Sequence, residues 1–214
     1  MKIRHHLSDP LLMAYSSGDL PEAFNLVIAA HVSLCDECRA RLEAFEALGG
    51  AVIEEQFEEM SVGSLEACLA KIDDLPMVDT QVARTAEGIL PAPLVDYVGG
   101  GLDKVKWRSV GMGVKQAILN TSEDGASVRL LAIPGGATLP NHGHNGLEMT
   151  LVLQGAFSDA SDRFGPGDLE IADDTMQHTP VAETGAVCIC LTATQGKLRF
   201  NALLPRMVQS IFRI

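Results

Sequence analysis

Residues 136–155 read GATLPNHGHNGLEMTLVLQG, and this stretch decides the fold of the C-terminal half of the chain. His142 and His144 are two residues apart, so on extended backbone both side chains point to the same side. Glu148 opens a short run, Glu148–Leu153, that stops at Gln154-Gly155, and Pro134, Gly135 and Gly136 turn the chain ahead of it. Further runs of strand character lie on either side: Lys115–Leu119, Val128–Ile133, Asp168–Ala172, Val187–Ala193 and Leu198–Leu203. Gly165-Pro-Gly167 and Gly185 separate them. Short strands with such breaks predict a β-sandwich or closed barrel. Two imidazoles and a carboxylate would then face its interior, and His178 is the only histidine beyond them. This donor set suits zinc, iron, manganese, nickel or copper.

The N-terminal part follows a different period. Ser8 and Asp9 can cap a helix with Pro10 in its first turn and Leu11, Leu12 and Tyr15 on the apolar side; Gly18 and Asp19 end it. Pro21 starts a second helix, in which Phe24, Val27, Ile28 and His31 recur at helical spacing. A third, from Cys35, carries Cys38, Leu42, Phe45 and Leu48 on one face and reaches toward the acidic Glu54–Glu59 run. Ser64 opens a short fourth helix whose stripe of Leu65, Cys68, Leu69 and Ile72 reads as core. Residues 73 to about 93 contain three prolines and no sustained periodicity, which reads as a linker.

A second group of ligand-type residues sits on these helices. In His31-x3-Cys35-x2-Cys38 all three side chains project to one side if the chain stays near-helical. Two thiolates and two imidazoles around a tetrahedral ion make a closed structural zinc site, and His5 or His6 is available as the fourth ligand. A small helical module has a limited core, so a metal clip across it would help it fold.

Charge is unevenly spread along the 214 residues. Residues 1–85 carry 6 Lys+Arg against 15 Asp+Glu, and residues 86–214 carry 10 against 13. The acidic N-terminal part disfavours direct nucleic-acid binding and favours a basic protein partner. The polar start has no apolar segment behind it, and no stretch is long and apolar enough to span a bilayer, so neither secretion nor a membrane is expected. Five cysteines, as a CxxC, a lone Cys68 and a CxC, suit a reducing, cytoplasmic compartment. Cys188 and Cys190 share a strand face about 6–7 Å apart, which predicts buried apolar thiols and argues against a mutual bond.

Gly136-x5-His142-x-His144-x3-Glu148-x6-Gly155 matches the first cupin motif at every fixed position. The second motif is stretched: residues 163–180, RFGPGDLEIADDTMQHTP, supply the Pro166-Gly167-Asp168 turn and then His178. "IRHHLSDPLLMAYSSGDL" with "HVSLCDEC" resembles the zinc-binding anti-sigma domain of bacterial regulators of extracytoplasmic-function sigma factors. The similarity is to the ChrR family, in which that domain precedes a cupin, and it extends through "RLEAFEALGG" to the terminal "PRMVQSIFRI".

This resemblance implies an α+β, two-domain chain: an all-α zinc-binding bundle over residues 1–85, a linker over 86–95 and an all-β cupin barrel over 96–214. It implies zinc on His6, His31, Cys35 and Cys38, with His5 as a neighbour, and zinc or another divalent transition metal on His142, His144, Glu148 and His178. The expected function is sequestration of a sigma factor in a 1:1 complex, without catalysis. Release would follow a signal at the cupin such as singlet oxygen or organic peroxide. The alternatives are an oxygenase-like cupin metalloenzyme with a helical oligomerisation domain, and a cupin that binds a small molecule without turnover. The acidic zinc module argues against the enzyme, which has no evident need of it. Trp107 and Tyr97 read as packing residues, and Glu54–Glu59 as a solvated face or an edge that meets a basic partner.

Overall fold

Pro10 and Gly18 bracket the first helix, α1 (Asp9–Ser17). Gly18 adopts φ 76°, a left-handed conformation that glycine takes without a Cβ penalty, and the Gly18 and Asp19 amides close on the Tyr15 and Ala14 carbonyls. Pro21 precedes α2 (Glu22–Leu34), and Cys35 both ends α2 and caps α3 (Asp36–Glu54). Then come α4 (Ser64–Asp73) and α5 (Ala92–Val98). The computed structural model describes residues 2–56, 58–73, 86–122 and 125–196, with the backbone of 199–200. Residues 74–85 of the expected linker and the terminal PRMVQSIFRI lie outside the described residues.

The C-terminal part is antiparallel. Its strands are β1 (Arg108–Gly111), β2 (Val114–Leu119), β3 (Ala126–Ile133), β4 (His142–Gly143), β5 (Glu148–Gln154), β6 (Phe157–Ser158), β7 (Arg163–Phe164), β8 (Leu169–Ala172), β9 (Gln177–His178), β10 (Val181–Ala182), β11 (Cys188–Gln195) and β12 (Arg199–Phe200). They form a six-stranded sheet in the order β1-β2-β3-β11-β5-β8 and two smaller sheets, β10-β6-β7 and β12-β4-β9. Gly155, at φ 71°, ends β5 where an added Cβ would come within 2.9 Å of the Cys188 backbone, so no other residue fits there without a shift.

The two faces of the large sheet have different partners. Val128, Leu130, Leu151 and Leu191 share one core with the helices, and α2 packs directly on β3, β5 and β11. The opposite face holds a second cluster of Ile133, Val152, Phe157, Phe164, Cys188 and Cys190. Because α2 lies between α1, α3, α5 and the sheet, Ala23, Leu26 and Ala30 are buried along with Phe24, Val27 and Ile28. A helix enclosed on all sides needs apolar residues all round.

Three local expectations differ from the structure. Helix α4 forms where its capping residue predicts, but Leu65, Leu69 and Ile72 are 60%, 50% and 57% exposed, and Cys68 is exposed rather than core. Its apolar stripe finds no buried partner among the described residues. Helix α5 forms at the end of the linker stretch, and its Leu94 and Val95 are buried. The Sγ atoms of Cys188 and Cys190 lie 3.6 Å apart, much closer than strand rise suggests. The register against β5 shifts between Ile189 and Cys190, and this irregularity lets the two side chains converge.

Candidate metal centres

Four elements converge at the N-terminal site. His6 lies on the extended strap before α1, His31 in the last turn of α2, Cys35 at the α2–α3 junction and Cys38 in the first turn of α3. His31 Nε2 is 3.3 Å from Cys38 Sγ, and His6 Nδ1 is 3.3 Å from Cys35 Sγ and 3.7 Å from Cys38 Sγ. Tetrahedral zinc, with Zn–S near 2.3 Å and Zn–N near 2.0–2.1 Å, separates sulfur from nitrogen by about 3.5 Å. The donor set and spacing therefore fit such an ion, and the potential ligand atoms lie within 4.8 Å of one another. The Leu7 and Cys38 amides point at Cys38 Sγ and Cys35 Sγ, a direction that favours thiolates. Burial, and then His6, push His31 down to about 4, while the Gly167 backbone and Asp168 pull the other way. Burial pushes the Cys38 thiol up to about 11, so its thiolate needs a cation beside it. His5 turns away from the group; its Nε2 lies 3.2 Å from Asp162 Oδ2.

The barrel site is assembled by strand register. His142 on β4 faces His178 on β9, and Glu148 on β5 faces Thr194 on β11. His178 Nε2 is 3.1 Å from His142 Nε2 and 3.3 Å from His144 Nε2. Three imidazole nitrogens aimed at one point repel unless a cation lies between them, and tetrahedral zinc would hold them about 3.3 Å apart. Glu148 completes the group; its Oε2 accepts from Thr194 Oγ1 at 3.1 Å and lies 3.5 Å from His144 Nδ1. All four residues are buried. Burial lowers His142. Burial alone would raise Glu148, but the hydrogen bond and charge of His144, helped by the other two imidazoles, hold it low.

Sequence reasoning missed the residues behind these groups. Asp159 Oδ2 and Glu170 Oε1 each lie 3.1 Å from His178 Nδ1, on the ring edge away from the other imidazoles. Burial raises Glu170, and the charges of Asp159 and Glu148 add to this. Glu170, Thr150, Thr192 and Arg129 are paired in one row across β8, β5, β11 and β3, so they share a face of the sheet. Arg129 is buried there and donates to Gln116 Oε1 and Ser127 Oγ. The alternation in β3 and β5 could have indicated polar interior positions; the pairing of Glu170 with His178 depends on barrel closure.

A cupin barrel carrying a His/Glu cluster, packed on a helical module with a His/Cys cluster, defines a two-centre architecture. Residues 98–197 match the model of the ChrR cupin-like domain. The whole chain is 57% identical, over 215 residues and all of both proteins, to the anti-sigma-E factor ChrR of Cereibacter sphaeroides. Its fold is similar to that in the crystal structure of Rhodobacter sphaeroides SigE in complex with the anti-sigma ChrR: TM-score 0.81, 55% identity, 91% of this chain and 100% of that one. The chain belongs to the ChrR family of anti-sigma factors. The metalloenzyme alternative gives way to regulation. Among the described residues no helix is long and apolar enough to cross a membrane.

Proposed function

We propose that this chain sequesters an extracytoplasmic-function sigma factor in a 1:1 complex through its helical part, and releases it when the cupin centre meets an oxidant such as singlet oxygen. The observation that carries this reading is the apolar face of α4, which has no partner among the described residues. Leu65, Leu69 and Ile72 are exposed together, with Leu48, Val52 and Ile53 at the end of α3 also exposed. Apolar surface of this kind is a docking surface for a protein. Glu54, Glu55 and Glu66 accompany it and suit a partner with basic DNA-binding regions. The solved relative is a complex of SigE with ChrR, which supports a sigma factor as the partner here.

In this reading, residues 1–85 form the sigma-binding domain, 86–95 the linker and 96–214 the cupin domain. Zinc on His6, His31, Cys35 and Cys38 holds α2, α3 and the N-terminal strap together. Zinc or another divalent ion on His142, His144, Glu148 and His178 serves as the sensing centre. Work on a sigma factor places the protein in the cytoplasm. The test is co-expression of the full chain with an extracytoplasmic-function sigma factor from the same genome, then co-purification. A stable 1:1 complex is expected; Leu65→Asp with Leu69→Asp should abolish it, and retention of the complex by that variant would reject the α4 surface.

A further inference from the structure

Asp168 joins the barrel to the helical metal centre. It lies in the turn before β8, with its side chain 4% exposed. Its Oδ2 accepts the Gly165 N–H at 2.9 Å, which holds the turn. Its Oδ1 accepts the Arg4 N–H at 2.6 Å and the His5 N–H at 3.1 Å. These two donors immediately precede His6. The strap is fastened to the same turn by the Arg4 guanidinium on the Arg163 carbonyl at 2.8 Å and by the His5 ring against Phe164, with centroids 4.4 Å apart. Thus the barrel, as well as the helices, sets the position of His6. Two residues further along β8, Glu170 holds His178 Nδ1 at 3.1 Å. Asp168, immediately ahead of β8, and Glu170 within it are two residues apart, about 6–7 Å on extended backbone.

We propose that β8 mechanically couples the two metal centres, with Asp168 as the positioning residue: displacement of His178 shifts Glu170, the strand carries the shift to Asp168, and the strap draws on His6. The proposal rests on the anti-sigma reading and names the route by which the cupin would command release. Cutting the link leaves each centre with its own ligands but isolates one from the other. Coupling is reciprocal, so loosening the strap must also be felt at the cupin site.

The test uses the full-length protein and zinc as the probe, with cupin-site affinity measured by chelator competition. Arg4→Pro removes one donor to Asp168 without touching β8. It should weaken zinc at the cupin site measurably, by up to about tenfold, the ceiling set by one lost charge-assisted hydrogen bond. Asp168→Ala should do the same, whereas Arg4→Ala loses the same guanidinium contact as Arg4→Pro but keeps the N–H to Asp168, so it should hold zinc more tightly than Arg4→Pro. Should Asp168→Ala fold poorly, Arg4→Pro against Arg4→Ala still decides. Unchanged cupin affinity in Arg4→Pro overturns the proposal. In complex, Asp168→Ala should keep its sigma factor under illuminated methylene blue, a singlet-oxygen source, while wild type releases it; release by the variant at the wild-type rate also overturns it. A wild-type chain that binds no sigma factor would fault the anti-sigma reading instead, and the affinity comparison would still judge the coupling.

Discussion

Glu170 Oε1 lies 3.1 Å from His178 Nδ1, on the opposite edge of the ring from His142 and His144. The ring is therefore gripped from behind while its Nε2 faces the other imidazoles. Removing such a partner typically costs a site 10–100-fold in metal affinity. Glu170→Ala should weaken zinc at the cupin site by about that factor and leave the His6–Cys38 site loaded. Elemental analysis with chelator competition would show it; equal affinity in variant and wild type would reduce Glu170 to a bystander.

The cupin centre and partner binding should separate by mutation. The four cupin residues lie on the barrel, whereas the exposed apolar face belongs to α3 and α4. His142→Ala with His144→Ala should lose one metal per chain and still form the complex, but no longer release under singlet oxygen. Cys188→Ser with Cys190→Ser tests the thiols on their own, and a weaker effect is expected from two buried side chains. If the histidine variant released its partner normally, the cupin metal would have no part in sensing.

Acid should act on the helical centre through His31. His31 is held near 4 against an ordinary 6.5. Its neutral imidazole therefore stabilises the fold above pH 6.5, and that contribution is lost as pH falls through about 4. The lowered value corresponds to about 3 kcal/mol, and bound metal steepens the loss because its ligands must stay deprotonated. Zinc release and denaturation midpoints of the full chain, followed between those pH values, should fall together, and the fall should be shallower in His31→Ala, where His142 still titrates in the same direction. A wild-type midpoint that does not change across the window would contradict the assignment.

The exposed face of α4 makes a prediction in which stability and binding part company. Leu69→Asp alters a side chain that is 50% exposed, so the fold should change by no more than about 0.5 kcal/mol. Binding of the sigma factor should drop by at least about thirtyfold, the effect of losing an interface hot spot. Thermal denaturation and titration calorimetry on the same variant would separate the two; a large loss of stability would mean that α4 packs within the chain.

The parts legible in the sequence are those whose signal is local. His142, His144 and Glu148 are marked by alternation and flanking turns, and the His31-Cys35-Cys38 group by helical spacing. Pro10, Gly18 and Pro21 mark helix ends because their backbone limits act wherever they occur. What stayed hidden depends on contacts between distant segments. The buried Leu26 and Ala30 follow from α2, which ends at Leu34, lying on a sheet that begins only at Arg108. Cys68 reads as core because an apolar stripe looks the same whether its partner lies in the chain or in another protein. The two-residue strands β4, β6, β7, β9 and β10 are too short for any period. Asp168 reads as a turn residue, since nothing local to it shows that the strap reaches it from 164 residues away.

The most direct measurement is transcription by RNA polymerase with the sigma factor that co-purifies with the chain, in the presence of the purified, metal-loaded full-length protein. The account predicts two metals per chain, a 1:1 complex and transcription silenced at stoichiometric amounts. Transcription should return on exposure to singlet oxygen only when His142, His144, Glu148 and His178 are intact. A chain that neither binds the sigma factor nor silences transcription, yet turns over a small molecule in a metal-dependent way, would contradict it.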